Sequence, residues 1–247
     1  MSGVGTGYDL SSGTYSPDGR VFQVEYAVKA VENAGTVIGI RCKDGVVLAA
    51  EKLVHSKLLT PKANRQIQSV DRHAGICPAG LLADGRQLAK RAQEDAANYR
   101  ANFKLAIPGR VLASNLAAYV QAFTLYSSVR PFGVSAILAC YDDAGPSMYT
   151  IDPTGVFHGY YGAAVGKGRQ VAKVEIEKLD LRNMTAKQAV FEVARILHIV
   201  HDDAKDKDFE MELSWVCDES KRIHTFVPEA LAQEAEAAAK AATDDMD

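Results

Sequence analysis

Residues 32–52 read ENAGTVIGIRCKDGVVLAAEK. Two apolar runs, TVIGIRC and GVVLAAEK, flank Lys43-Asp44-Gly45. Asp-Gly between apolar runs is a hairpin signal, because glycine takes the positive φ that a tight turn needs. Upstream, in RVFQVEYAVKAVEN, Val21, Val24, Ala27, Val28 and Val31 recur at helical spacing, and Asn33 and Gly35 end the helix. Before it, SPDG marks a turn: Pro17 presets φ and Gly19 accepts a positive one. Residues 1–19 carry too few apolar side chains for a local core and read as an arm or loop.

Downstream of the hairpin, QIQSVD and AGICPAG form a second, weaker strand pair. Asp84 is then expected as the N-cap of a helix, with Gln87 in capping-box position and a stripe of Leu88, Ala92, Ala96, Tyr99 and Phe103. After Pro108-Gly109 a second helix carries Leu112, Leu116, Tyr119, Val120 and Phe123. VSAILACY reads as a buried strand, and SMYTID and VFHGYYGAAVG flank the turn Asp152–Gly155. Helices follow from Arg169 to Leu179 and from Thr185, where Gln188 completes a capping box. The second has the stripe Val190, Val193, Ala194, Leu197 and Val200. FEMELSWVC alternates, with Phe209, Met211, Leu213, Trp215 and Cys217 on one face. Residues 229–242 are Ala/Glu-rich and helical by propensity, and an acidic end follows. Hairpin blocks separated by helix pairs predict a single-domain α+β sandwich, not alternating βαβ units.

Composition fits a globular chain: 247 residues, 47% hydrophobic, 24% charged, net charge −3. That balance carries no nucleic-acid footprint. The apolar runs are too short for a membrane helix. The N-terminus MSGVGTGYDL lacks the basic start and apolar stretch of a signal peptide, so a cytoplasmic or nuclear protein is expected. Cys42, Cys77, Cys140 and Cys217 form no CxxC pair, and each lies in an apolar run, so buried reduced thiols are expected.

Few constellations carry chemistry. YGAAVGKGR resembles a phosphate loop, but its spacing is one residue short and Gly168 replaces the Mg²⁺-binding hydroxyl. Turn glycines explain it. His198 and His201 stand at i, i+3 beside Asp202-Asp203, but no further ligand cluster accompanies them, so no metal or other cofactor is expected. Asp142-Asp143 fits Asx turn chemistry. No GxSxG elbow is present. Thr36 remains. An N-terminal Thr can hydrolyse amides, with its α-amine as base and its hydroxyl as nucleophile, but only once its N-terminus is free. Thirty-five residues precede it here, including a helix with a regular apolar stripe that a disposable propeptide does not need.

The stretch GYDLSSGTYSPDGRVFQVEYAVKAVENAGT closely resembles the N-terminal signature of 20S proteasome α subunits. The likeness continues through GVVLAAEK, VDRHAG, AGLLADGR, Phe123–Gly133, YTIDPTG and AVGKGRQVAK, and so covers nearly the whole chain. It implies the four-layer αββα Ntn-hydrolase-like sandwich. The parts would be a gate arm and turn (1–19), an N-terminal helix (20–34), the core (35–227), and a C-terminal helix with acidic tail (228–247). It implies a non-catalytic member of a seven-membered α ring that caps the catalytic β ring, gates substrate entry and docks activators. Partners would be other α subunits, β subunits, a regulatory particle or other activators, and assembly chaperones. Aligned with the hairpin of active β subunits, Gly45 falls on their turn glycine and Glu51 on their conserved Asp. The nucleophile then falls on Gly35, and the catalytic Lys near Gln66 or Ile67.

By the same resemblance Tyr8, Asp9, Pro17 and Tyr26 match the cluster through which neighbouring α subunits hold an open gate. The alternative is that Tyr26 is helix core and Tyr8 a loose arm residue. Leu10 departs from the basic residue many relatives place after Tyr-Asp. Gln66 stands where the family's pocket Lys pairs an activator tail's carboxylate, with Arg65 beside it. Gly80 matches the pocket glycine, or is a plain turn glycine. Thr243, ahead of Asp-Asp-Met-Asp, suits an acid-directed kinase; a solvated tail with no switch is the alternative. Two other function classes compete: an autoprocessed amidohydrolase using Thr36, and a free-standing module whose acidic tail recruits partners.

Overall fold

The computed structural model describes residues 7–54, 56, 58–60, 62–201 and 208–244. The elements run α1 (Phe22–Glu32), β1 (Val37–Arg41), β2 (Gly45–Leu53), β3 (Gln68–Asp71), β4 (Ala74–Gly80), α2 (Leu82–Phe103) and α3 (Gly109–Ala122). They continue β5 (Val134–Asp142), β6 (Gly145–Ile151), β7 (Phe157–Gly159), β8 (Gly162–Val165), α4 (Arg169–Glu177), α5 (Ala186–Val200), β9 (Phe209–Cys217), β10 (Thr225–Phe226) and α6 (Glu229–Asp244). Two five-stranded sheets form, ordered β10-β9-β2-β1-β8 and β3-β4-β5-β6-β7. Every strand pairing is antiparallel.

Three apolar clusters define four layers. Alternation along each strand sends side chains to opposite faces, so one strand feeds two clusters. Trp215 and Cys217 of β9 pack with Val193 and Leu197 of α5 and Ala235 of α6. Their neighbour Val216 points the other way, with Leu48, Cys77 and Ile137, into the space between the sheets. On the second sheet Ile76 and Leu138 meet Leu88 of α2 and Leu112 and Leu116 of α3. The order is therefore helices, sheet, sheet, helices, the expected αββα sandwich. All four cysteines are buried and free. Burial pushes the Cys42 thiol up to about 12 and the Cys77 and Cys140 thiols well up as well, which keeps them protonated.

The fold departs from the sequence reading in two places. α2 starts earlier than expected: Leu81 is its N-cap, and Asp84 lies inside the first turn. Asp84 instead accepts hydrogen bonds from Arg130 at 2.7 and 2.9 Å and from the Gly133 amide at 2.9 Å. These tie α2 to the lead-in of β5, and the Arg130 pairing holds the Asp84 carboxyl below its usual range. VFHGYYGAAVG is two strands, not one: β7 pairs β6, and β8 crosses to the other sheet to pair β1. Residues 11–19 form the expected loop, and it is anchored to the core. Ser12 is buried and donates to the carbonyls of Tyr126 (2.7 Å) and Val129 (3.1 Å). The SPDG turn closes through Gly19 N–H to Ser16 O at 2.9 Å, with Gly19 at φ +76°.

Candidate functional site

The Gly35–Thr36 junction sits where α1 delivers the chain into β1, and every polar group of Thr36 has a partner inside the protein. Thr36 is buried. Its amide donates to Glu51 Oε2 at 2.8 Å, its carbonyl accepts from the Glu51 amide at 2.8 Å, and its hydroxyl accepts from the Gly168 amide at 3.1 Å. Glu51 Oε1 meets His201 Nδ1 at 2.7 Å, and both side chains are almost wholly buried. One carboxylate thus clips the start of β1 to the end of α5.

The register expected from the resemblance puts the nucleophile position at Gly35. A Cβ there would lie 2.2 Å from the Glu51 carbonyl oxygen, so the site has no room for any side chain. The Lys position falls on Gln66 or Ile67. Ile67 is buried among apolar groups between the sheets. Gln66 is buried, and its carboxamide donates to Pro78 O at 2.7 Å. The nitrogen of Thr36 is a peptide amide, which has no basic lone pair to take a proton.

Two glycines of YGAAVGKGR, Gly166 and Gly168, serve this junction. A Cβ on Gly166, at φ +101°, would lie 2.5 Å from Gly35 O, and one on Gly168 would lie 2.8 Å from the Thr36 hydroxyl. Lys167 N–H donates to Ala34 O at 2.9 Å, and Arg169 pairs Glu32 at 2.7 Å. Close backbone approach, not phosphate binding, accounts for the run. Asp142 accepts from the amides of Ala144 and Gly109, both at 3.0 Å, making the expected Asx turn and serving the start of α3. His198 and His201 both pack at a tilt against Phe209, and among the described residues no group of three metal-ligating side chains converges. Asp202 and Asp203 lie outside the described residues.

Of the four arm residues, two meet within the chain. Tyr26 Oη donates to Asp9 Oδ2 at 3.1 Å, while the Gln23 carboxamide holds the Asp9 carbonyl. Desolvation, then the bond to Asp9, raises the Tyr26 phenol. Tyr26 is 40% exposed, so it is not helix core. Tyr8 and Pro17 are exposed on the same arm and turn. Beside Tyr26, Arg20 donates from Nε and Nη2 to the two carboxylate oxygens of Glu25 and holds its carboxyl down.

Two of the three tail-pocket residues, Gln66 and Arg65, send their side chains to different partners. Gln66 turns inward to Pro78, whereas Arg65 turns outward and stacks 4.0 Å over the Phe226 ring. Gly80 has φ +132°, and a Cβ there would lie 2.1 Å from Gly133 O, so strand packing alone demands glycine. The Thr243 side chain and residues 245–247 lie outside the described residues.

That Glu51 and His201 meet was not read from the sequence. The available signal was a lone carboxylate inside the otherwise apolar run GVVLAAE. Its partner lies 150 residues away, beyond any local pattern.

Comparison with known proteins matches two family models: the proteasome subunits over residues 31–216, and the N-terminal signature of their A class over residues 8–30. The chain is 56% identical over 247 residues to the proteasome alpha type-3 subunit of Spinacia oleracea, covering 100% of this chain and 99% of that one. It is 57% identical over 242 residues to the alpha type-3 subunit of Acanthamoeba castellanii, covering 98% and 96%. It is 53% identical over 239 residues to a probable alpha type-7 subunit of Saccharomyces cerevisiae, covering 95% and 83%.

Proposed function

The chain belongs to the α-type proteasome subunits of the 20S core, and from that premise we propose that it is a non-catalytic ring member that helps gate substrate entry. The observation that carries the non-catalytic reading is Gly35: the nucleophile position has no side chain and no space for one. Thr36 beside it is locked through amide, carbonyl and hydroxyl. The rival autoprocessed hydrolase would require cutting between these two residues and losing α1. Intact mass decides: retention of residues 1–35 fits the ring member, and their loss fits the hydrolase.

The gate reading rests on the arm. Tyr26 and Asp9 are already joined, and Tyr8 and Pro17 present an aromatic face and a rigid apolar surface to solvent. In a ring these would contact the neighbouring α subunits. We further assign β subunits and assembly chaperones as partners, and cytoplasm and nucleus as the location. For an activator tail, Arg65 is the exposed cation beside the buried Gln66 and would have to leave Phe226 to pair a carboxylate. Thr243 is proposed as a phosphorylation site on its acidic context; phosphopeptide mapping that never finds it modified overturns that assignment. Native mass spectrometry tests the whole reading: a large assembly is expected, and a lone species near the 26.6 kDa chain mass would sink it.

A further inference from the structure

β2 pairs all of β9, from Phe209 to Cys217. Among the described residues, the other edge of β9 is covered over only part of its length. β10 pairs Thr225 with Trp215 and Phe226 with Ser214, and Val227 N–H then donates to Leu213 O at 3.0 Å. Main-chain groups alternate between the two edges of an antiparallel strand, so Met211 and Phe209 face the same edge as Leu213. Among the described residues Met211 has no main-chain partner there.

A groove of about 380 Å³ runs along this edge, between β9, the residues near Arg65, and α6. Met211 and Phe226 supply apolar surface. Glu212 also lines it and is only 9% exposed. Its Oε2 accepts the amides of Gln66 (2.9 Å) and Ile67 (3.0 Å), while its Oε1 is buried with no hydrogen-bond partner. An unsatisfied buried carboxylate oxygen is costly. Burial raises the Glu212 carboxyl, and the two amides and the nearby Lys52 and Arg65 oppose that. The two cations lining the groove are both engaged, Lys62 with Glu229 at 2.9 Å and Arg65 with the Phe226 ring. Four glutamates line it against those two cations, so the groove is acidic.

We propose that this groove binds an extended peptide segment of a partner protein, which adds a strand to the free edge of β9 and sets a lysine or arginine side chain on Glu212 Oε1. The open edge selects an extended backbone, the apolar walls select flanking aliphatic side chains, and the unpaired oxygen selects a cationic donor. The proposal does not rest on the gate reading.

The test uses the full chain and a fluorescein-labelled Thr-Val-Lys-Val-Thr peptide, read by fluorescence anisotropy. Saturable binding is expected. Glu212→Gln should weaken it about tenfold or more, as expected for losing a hydrogen bond to a charged group. Replacing the peptide lysine with norleucine should do the same, and methylating the peptide's edge-facing amides should weaken binding too. Gln233→Trp, on the exposed face of α6, should block the groove without touching the core. Should Glu212→Gln fail to fold by circular dichroism, the norleucine peptide and Gln233→Trp still decide. Absence of saturation, or equal affinity for the norleucine peptide or the Gln233→Trp protein, overturns the site.

Discussion

Glu51 satisfies two buried groups with one carboxylate, the Thr36 amide through Oε2 and the His201 ring through Oε1. Removing it takes the acceptor from the buried Thr36 amide and the carboxylate contact from the buried His201 ring. Glu51→Ala should cost about 3 kcal/mol, visible as a lowered urea midpoint, whereas Glu51→Gln should cost less because an acceptor survives. His224 gives a pH signature. It is buried between Ser69 Oγ (2.8 Å) and Ser214 Oγ (3.1 Å), and desolvation lowers its pKa from 6.5 to about 4. Between those values the unfolded chain binds the proton and the folded chain does not. The contribution of His224 is therefore fully present above pH 6.5 and is lost as pH falls through 4. The loss amounts to about 3 kcal/mol. Denaturant titrations from pH 7 to pH 4 should show this slope, and His224→Asn should flatten it.

At the scale of elements, the capping box is the clearest agreement between pattern and fold. Thr185 Oγ accepts from the Gln188 amide, and Gln188 Oε1 accepts from the Thr185 amide at 2.9 Å. Thr185→Ala should cost about 1 kcal/mol in thermal or chemical unfolding. Asp84 and Gln87 had the same spacing and no such box formed, because Arg130 and Gly133 claim the Asp84 carboxylate. A local motif yields when a tertiary partner offers a charge-assisted pair. The arm follows similar logic. Ser12 fixes it to the carbonyls after α3, so Ser12→Ala should free residues 7–12, with faster amide exchange there and little change in global stability.

At the scale of the molecule, gating is tested on the assembled particle. Deleting residues 1–12 should raise basal peptide hydrolysis several-fold, since the arm and its Asp9–Tyr26 contact are removed while the αββα core is untouched. Unchanged hydrolysis would confine this chain to a scaffold role.

The strands and helices were legible because their signals are short-range: apolar period, Asp-Gly turns, a Thr-x-x-Gln box. The sandwich was legible because hairpin blocks between helix pairs can bury near-continuous apolar strands in few other ways. The likeness from Tyr8 to Tyr26 carried the family. What no local pattern held was which side chains meet across the chain. That Gln66 turns to Pro78 while Arg65 turns to Phe226, and that β8 leaves its neighbour to pair β1, follow from packing between distant segments. Nor could spacing show that Gly35 is filled by the Glu51 carbonyl, or that Glu212 keeps one oxygen unpaired at an open sheet edge. Sequence by itself determined the elements, because their hydrogen bonds and periods are local. Only the tertiary structure decided the chemistry of the Gly35–Thr36 junction, because it depends on polar atoms that residues far apart in the chain bring to it, Glu51 Oε2 at 2.8 Å and the Gly168 amide at 3.1 Å.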